Sequence, residues 1–428
     1  MRNETAVAAR PETEPGAGQA APGRWLLPTA FFLATTADAS SNAFLPVFAG
    51  TLSAATPAVS ANMAAGMPIA AFWLMVAVAQ LTAGVWERGR DHRRLIVGAL
   101  VLLALAQALS GLASSVPALI VWRGVGGFAT GVVMILVQDG MLRGAGVAAR
   151  TRASGTYLSA FFAGTIAGTL GGGGVAAQAG HGAAFLAAAA VAGSAALIAL
   201  RLPSYRATTP SQPFRMGALL RNPAFTALVV LGAMPSRLLI AAFLYYLAPL
   251  RLHDLGLNAT EIGWVLALYA AIMATTAPLW SHLIDASGRP LLFALGGLAL
   301  SAIAMAAVPL LPHAGWSGMA GVVAGIVLLG TAQAMGMAPQ VTLLFTVARP
   351  EMERFGRTPV LGVFRVFERA GLFTGPLLAG VLVGAGHDDA LIALALLAAV
   401  ATPALAAALA LTTRPPSARP AADPEAIP

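Results

Sequence analysis

The 428-residue chain contains no cysteine, and all 25 of its basic residues are arginine, so lysine is absent as well. Without cysteine there is no disulfide, thiolate metal site or thiol nucleophile. Without lysine there is no P-loop lysine for an ATP-driven motor and no amine for a Schiff base. Work done by such a chain has to draw on an ion gradient, here expected to be protons, and no cofactor is expected. Charge is scarce too. Only 10% of residues are charged, against roughly 25% in soluble domains, which is too few to cover a water-facing surface.

What is there is apolar: 58% of the chain is hydrophobic. A spanning helix takes roughly 20 mostly apolar residues. The runs here are long and rich in alanine and leucine, unlike the alternating segments of about ten residues that build outer-membrane barrels. The expected fold is therefore an all-α membrane protein with twelve transmembrane helices.

Residues 1–24 are rich in Pro, Gly, Ala and Glu and carry no apolar core of a signal peptide, so they read as a disordered tail. Spans are expected from Trp25 to about Phe48, then at about 65–86, 95–113, 116–141, 153–176 and 182–202. A polar linker, 203–222, holds three prolines and three arginines. Six more spans follow at about 223–250, 260–283, 290–311, 317–347, 359–383 and 389–412, and 413–428 is a second polar tail. Basic loops stay cytoplasmic. With both ends inside, twenty of the 25 arginines fall in cytoplasmic segments and only Arg251 falls on the opposite side. The net charge of +8 is thereby a topology signal that needs no nucleic-acid partner. The partners expected are a lipid bilayer and a small-molecule substrate, with the protein a monomer.

The chain repeats itself. The loop from Gly84 to Leu95, with Glu87, Arg88 and Arg90, matches the loop from Ser281 to Leu292, with Asp285, Gly288 and Arg289. The fifth span carries Gly164-x-x-x-Gly168-Thr169-x-x-Gly172, and the eleventh carries Gly371-x-x-x-Gly375-Pro376-x-x-Ala379. Leu45-Pro46 and Ala248-Pro249 close the first and seventh spans. These correspondences, all about 200 residues apart, argue for two six-helix halves, 25–202 and 223–412, related by an axis along the membrane normal.

On these residues the chain resembles the major facilitator superfamily of transporters over nearly its whole length. Asp285-x-x-Gly288-Arg289 looks like that superfamily's motif A, and Arg123-x-x-x-Gly127 looks like its motif B. The glycine run of the fifth span looks like motif C of drug/proton antiporters, with Thr169 where proline is usual. The run from Gly362 to Leu378 looks like a bacterial subgroup. The resemblance implies two pseudo-symmetric halves rocking around a central cavity in a bacterial inner membrane. It also implies a cytoplasmic gate made of Glu87, Arg88, Asp139, Asp285, Gly288, Arg289 and the eleventh-span charges Arg365, Glu368 and Arg369.

An ionisable group in the bilayer costs at least about 2.5–3.5 kcal/mol and should face the bundle interior with a partner. Asp38 shares a face of the first span with Asn42, as a desolvated carboxyl suited to taking up and releasing a proton or, alternatively, pinned by a neighbouring helix. Arg123 opens a stripe on the fourth span with Met134 and Gln138; it is either the motif B arginine or a structural one. Arg237, with Tyr245 on its face, must be paired or must bind an anion, because its charge cannot be switched off. Its two options are Asp38 across the halves and an anionic substrate group. Gln333 and Gln340 on the tenth span either line the cavity or bond helices together. The glycines of the fifth and eleventh spans read as close-packing surfaces. Six scattered histidines without an i, i+4 pair suggest no metal site, and nothing pairs a nucleophile with a base, so no enzyme is expected. Proton-driven efflux is favoured over proton-coupled uptake of an organic anion. From another class, a receptor or scaffold that transports nothing is the competitor.

Overall fold

The structure, a computed structural model, describes residues 25–53, 60–87, 89–142, 147–204, 216–311 and 315–412. The two tails, the 205–215 portion of the linker, and Arg88 lie outside them.

Among the described residues, twelve helical segments follow one another along the chain. Ten are long and apolar enough to cross a membrane, from Ala61–Leu81 to His387–Thr412. The other two are special for reasons written in their sequences. The first is interrupted, as Leu26–Ala39 and Leu45–Ser53. Ser40, Ser41 and Asn42 lie in the break, where Ser and Asn side chains compete for backbone groups; the Ser40 hydroxyl donates to the Ala37 carbonyl at 2.8 Å. The eleventh, Arg357–Leu382, carries Arg365, Glu368 and Arg369. Broken backbone and buried charge are tolerated at such depth where they line a cavity or face protein.

The seventh span, Pro223–Asp254, contains two stretches of wider π-helix, Leu228–Ala233 and Phe243–Leu247. Each is followed by a proline, Pro235 and Pro249. A proline lacks the N–H and presses on the carbonyl four residues back, and a widened turn absorbs both demands. This sets the angle at which Arg237 and Tyr245 leave the helix.

The halves repeat one packing scheme. In the first, the fifth span (Val147–Ala179) lies on the first; a Cβ added to Gly164 would come within 2.6 Å of the Phe32 carbonyl oxygen, and Gly168 and Gly172 face Thr36 and Ser40 still more closely. In the second, the eleventh span lies on the seventh. A Cβ on Gly375 would meet the Leu238 carbonyl at 2.5 Å, and Gly371 abuts Met234. Small residues let backbones approach where no hydrophobic drive exists between helices.

The halves meet most closely at the end of the bundle away from Leu26 and Thr412, called distal below. There a Cβ on Gly66 would lie 2.6 Å from the Pro376 carbonyl, one on Gly263 2.8 Å from that of Thr169, and one on Gly380 3.0 Å from that of Asn62. The Tyr246 hydroxyl donates to the Asn62 carbonyl at 2.7 Å.

Candidate functional site

Within the first half, closed on the side of the second by Tyr245, lies a cavity with about 50 Å³ of room for water-sized groups. Five aromatic side chains, Phe31, Phe72, Trp73, Phe161 and Tyr245, line it together with Asp38, Asn42, Arg123 and Met134. A second space, of about 30 Å³ on the same measure, shares Asn42 and Tyr245 with it and reaches Tyr269.

Asp38 is held on the last turn before the break in the first span, and Arg123 reaches it from the fourth span, Val116–Leu142, at 3.6 Å. The Arg123 side chain is 6% exposed and that of Asp38 20%. Arg123 also donates to Gln107 Oε1 at 3.4 Å and lies over the Phe72 ring at 4.7 Å. Gln107 in turn donates to the Ala37 carbonyl at 2.8 Å, one residue from Asp38. Asn42 donates to the Thr169 hydroxyl at 3.3 Å, and Thr169 to the Ala39 carbonyl at 3.5 Å. The threonine standing at the motif C proline position thus ties the fifth span to the break.

Arg237 does not cross to Asp38. Its Nε donates to Glu368 Oε1 at 2.9 Å, a second guanidinium nitrogen reaches the same oxygen, and Nη1 lies 3.2 Å from the Met337 sulfur. The physical reason is proximity within one half. The seventh and eleventh spans pack backbone to backbone at Gly371, whose added Cβ would meet the Arg237 Cβ at 2.9 Å, so the nearest carboxylate is on the helix next door.

The gate expected on the eleventh span is divided. Glu368 belongs to Arg237. Arg365 donates to Gln138 Oε1 at 2.8 Å, Arg369 donates to Gln80 Oε1 at 3.5 Å, and Arg369 stands over the Trp73 ring at 5.2 Å. Asp285, Gly288 and Arg289 are exposed, and among the described residues Asp285 and Arg289 make no ion pair with the other half. Gly288 ends its helix in the left-handed region (φ 62°), which a residue with a Cβ adopts at a cost.

Glu87 and Asp139 do come together, through a residue that sequence reasoning passed over. His92 is fully buried at the start of the third span, His92–Gly111. Its Nε2 lies 3.0 Å from Glu87 Oε1 and its Nδ1 3.8 Å from Asp139 Oδ2. All three donor atoms lie within 4.8 Å of one another, so the histidines are less scattered than their spacing suggested. The 3.0 Å contact is itself direct, and a bound ion would have to replace it.

Gln333 proves to be helix glue: it accepts from the Ser236 hydroxyl at 2.9 Å and donates to the Ser236 carbonyl at 3.2 Å. Gln340 is buried but forms no part of the cavity wall. The residues missed beforehand, Gln107, Trp73, Gln80 and Tyr157, are neutral. The signal that would have found Gln80 and Trp73 is their i, i+7 spacing along one face of the second span.

A family model described as Major Facilitator Superfamily matches residues 29–252 and 229–427, once for each half. Solved structures agree in fold. The human organic anion transporter MFSD10 (TETRAN) is 18% identical with a TM-score of 0.62, over 90% of this chain and 100% of that one. A D-xylose–proton symporter is 16% identical with a TM-score of 0.67, over 89% and 96%. A POT family transporter in complex with 5-aminolevulinic acid is 14% identical with a TM-score of 0.69, over 93% and 98%. No curated protein matches the sequence.

Proposed function

The chain belongs to the Major Facilitator Superfamily, whose members are transporters and not enzymes, and we propose that it is a secondary active transporter, driven by protons, that moves a small organic molecule by alternating access. The observation that carries the coupling is the buried Asp38–Arg123 pair on the cavity wall. With a proton, Asp38 is neutral and its attraction to Arg123 lapses; without one, the pair reforms. Proton occupancy is thereby linked to the relation between the first and fourth spans and to the break beside Asp38.

The direction proposed is export by proton antiport. The support is the fifth-span glycine run, of the kind met in drug/proton antiporters, lying against that broken first span. Uptake by symport is the second reading, favoured by the arginines between the halves. For a monoanion the two differ electrically: in antiport, inward protons and outward anions carry charge in the same sense, whereas symport with one proton carries none. The arginine distribution supports an inner membrane with both termini in the cytoplasm, and the working unit proposed is a monomer.

The test uses proteoliposomes and any compound that stabilises the purified protein in a thermal-shift screen. Wild type is expected to concentrate it in an imposed proton gradient, while Asp38→Asn keeps only downhill exchange. Uphill accumulation by Asp38→Asn would overturn the coupling.

A further inference from the structure

The two buried ion pairs leave positive charge between the halves that neither of them uses. Arg365 and Arg369 lie one turn apart on the eleventh span, and the Glu368 between them is taken by Arg237. Three arginines thus share one carboxylate. The groups that Arg365 and Arg369 touch are neutral: Gln138, Gln80 and the face of Trp73. Both side chains are only partly buried. A guanidinium cannot shed its proton, and in a bilayer an unmatched cation calls for a counter-charge.

Neither arginine is itself a wall residue, but both stand behind the wall. Trp73, under Arg369, is a cavity wall and stacks on Tyr245 at 6.1 Å. Tyr157, within electrostatic reach of both arginines, stacks at 4.5 Å on Phe31, another wall residue. Inside the cavity the charges of Asp38 and Arg123 cancel and the walls are aromatic. The space is therefore an apolar chamber with two positive charges, bonded to neutral groups, behind its Trp73 and Phe31 walls.

Building on the transport reading above, we propose that the substrate is an organic anion: its carboxylate docks between Arg365 and Arg369 while its apolar body lies against Trp73, Phe72 and Phe31. The planar guanidinium fork matches a carboxylate, and a charged acceptor is stronger than the neutral glutamine oxygens it would displace. Those glutamines belong to the other half, on the second and fourth spans. Binding therefore exchanges two polar bridges between the halves for contacts to the ligand, which links occupancy to rocking.

The experiment is a titration of the purified protein in nanodiscs with benzoate, phenylacetate and octanoate, set against benzamide, phenylacetamide and benzylamine, with Trp fluorescence as readout. The acids are expected to bind at least about tenfold more tightly than their amides, and Arg365→Gln and Arg369→Gln each to weaken them about tenfold or more at an unchanged unfolding midpoint. Lysine at either position should restore part of the affinity. Amides or benzylamine binding as tightly as the acids, acids binding undiminished in the double variant, or no acid binding at all would each overturn the proposal. Exchange of radiolabelled benzoate in proteoliposomes separates the two readings. Acid binding without exchange removes transport and keeps the anion site; exchange of amide or amine in place of acid keeps transport and removes the anion site.

Discussion

Removing either member of the Asp38–Arg123 pair should destabilise the protein, but not equally, and the asymmetry tests the reading of the site. At 3.6 Å the Coulomb attraction is about 4–5 kcal/mol with an effective dielectric of roughly 20. Asp38→Asn leaves Arg123 charged and 6% exposed. Gln107 and the Phe72 ring then compensate only in part, so the loss should fall near the 3–5 kcal/mol typical of a buried charge stripped of its partner. Arg123→Gln leaves Asp38, which is 20% exposed on the cavity wall and can be hydrated or protonated there; that loss should be about 1–2 kcal/mol. The double variant buries no unmatched charge and should recover stability, with a coupling of about 2–3 kcal/mol. Reversible SDS titration in mixed micelles, followed by Trp fluorescence, measures all four corners of the cycle. Arg123→Gln costing as much as Asp38→Asn, or losses that add within about 0.5 kcal/mol, would refute the argument.

Three further outcomes follow from the same geometry. Gly172→Leu drives a side chain into the Ser40 carbonyl and should cost at least about 1–3 kcal/mol, whereas Gly171→Ala, which meets nothing within 4 Å, should be neutral; unfolding midpoints of the pair decide it. Arg237→Gln should destabilise by about 3–5 kcal/mol by stranding Glu368, and adding Glu368→Gln should restore most of it. A rise in melting temperature for Arg237→Gln alone would contradict the pairing. Tyr246→Phe deletes the distal hydrogen bond to Asn62 and should cost about 1 kcal/mol while raising maleimide labelling of a cysteine placed at Thr260. The naturally cysteine-free chain needs no background changes, and unaltered labelling would show that the bond does not help to close the distal end.

The spans, the repeat and the glycine faces were legible because each is local: an apolar run, a spacing, a motif. Asp38, Arg123, Arg237 and Glu368 were legible as charges in apolar surroundings, but not their pairing, since which helix faces which depends on packing between spans about 85 to 130 residues apart. The sequence offers Arg237 two partners, Asp38 and an anionic substrate group, and nothing in it points to Glu368. His92 escaped notice because it stands at a helix start, where a histidine is unremarkable; only the fold brings the end of the fourth span, with Asp139, beside it. Apart from Tyr245, the aromatic walls escaped for the opposite reason, being indistinguishable in sequence from lipid-facing apolar residues.

The way the pairs are distributed bears on how such a molecule can move. Both buried ion pairs lie within a half: Asp38 with Arg123 in the first, Arg237 with Glu368 in the second. Across the halves run glycine-to-carbonyl packing, the Tyr246–Asn62 bond, and arginine bonds to neutral glutamines. Had Arg237 paired with Asp38, every transport cycle would have had to separate a buried ion pair at about 3–5 kcal/mol. Neutral hydrogen bonds cost only about 0.5–1.5 kcal/mol each to exchange, and those with one charged member about 1.5–3. Two conformations separated by a few kcal/mol are both populated, and a ligand can shift them only by as much as it prefers one over the other. The contacts with most to offer such a preference are the two that Arg365 and Arg369 make across the halves, where an anion can replace both.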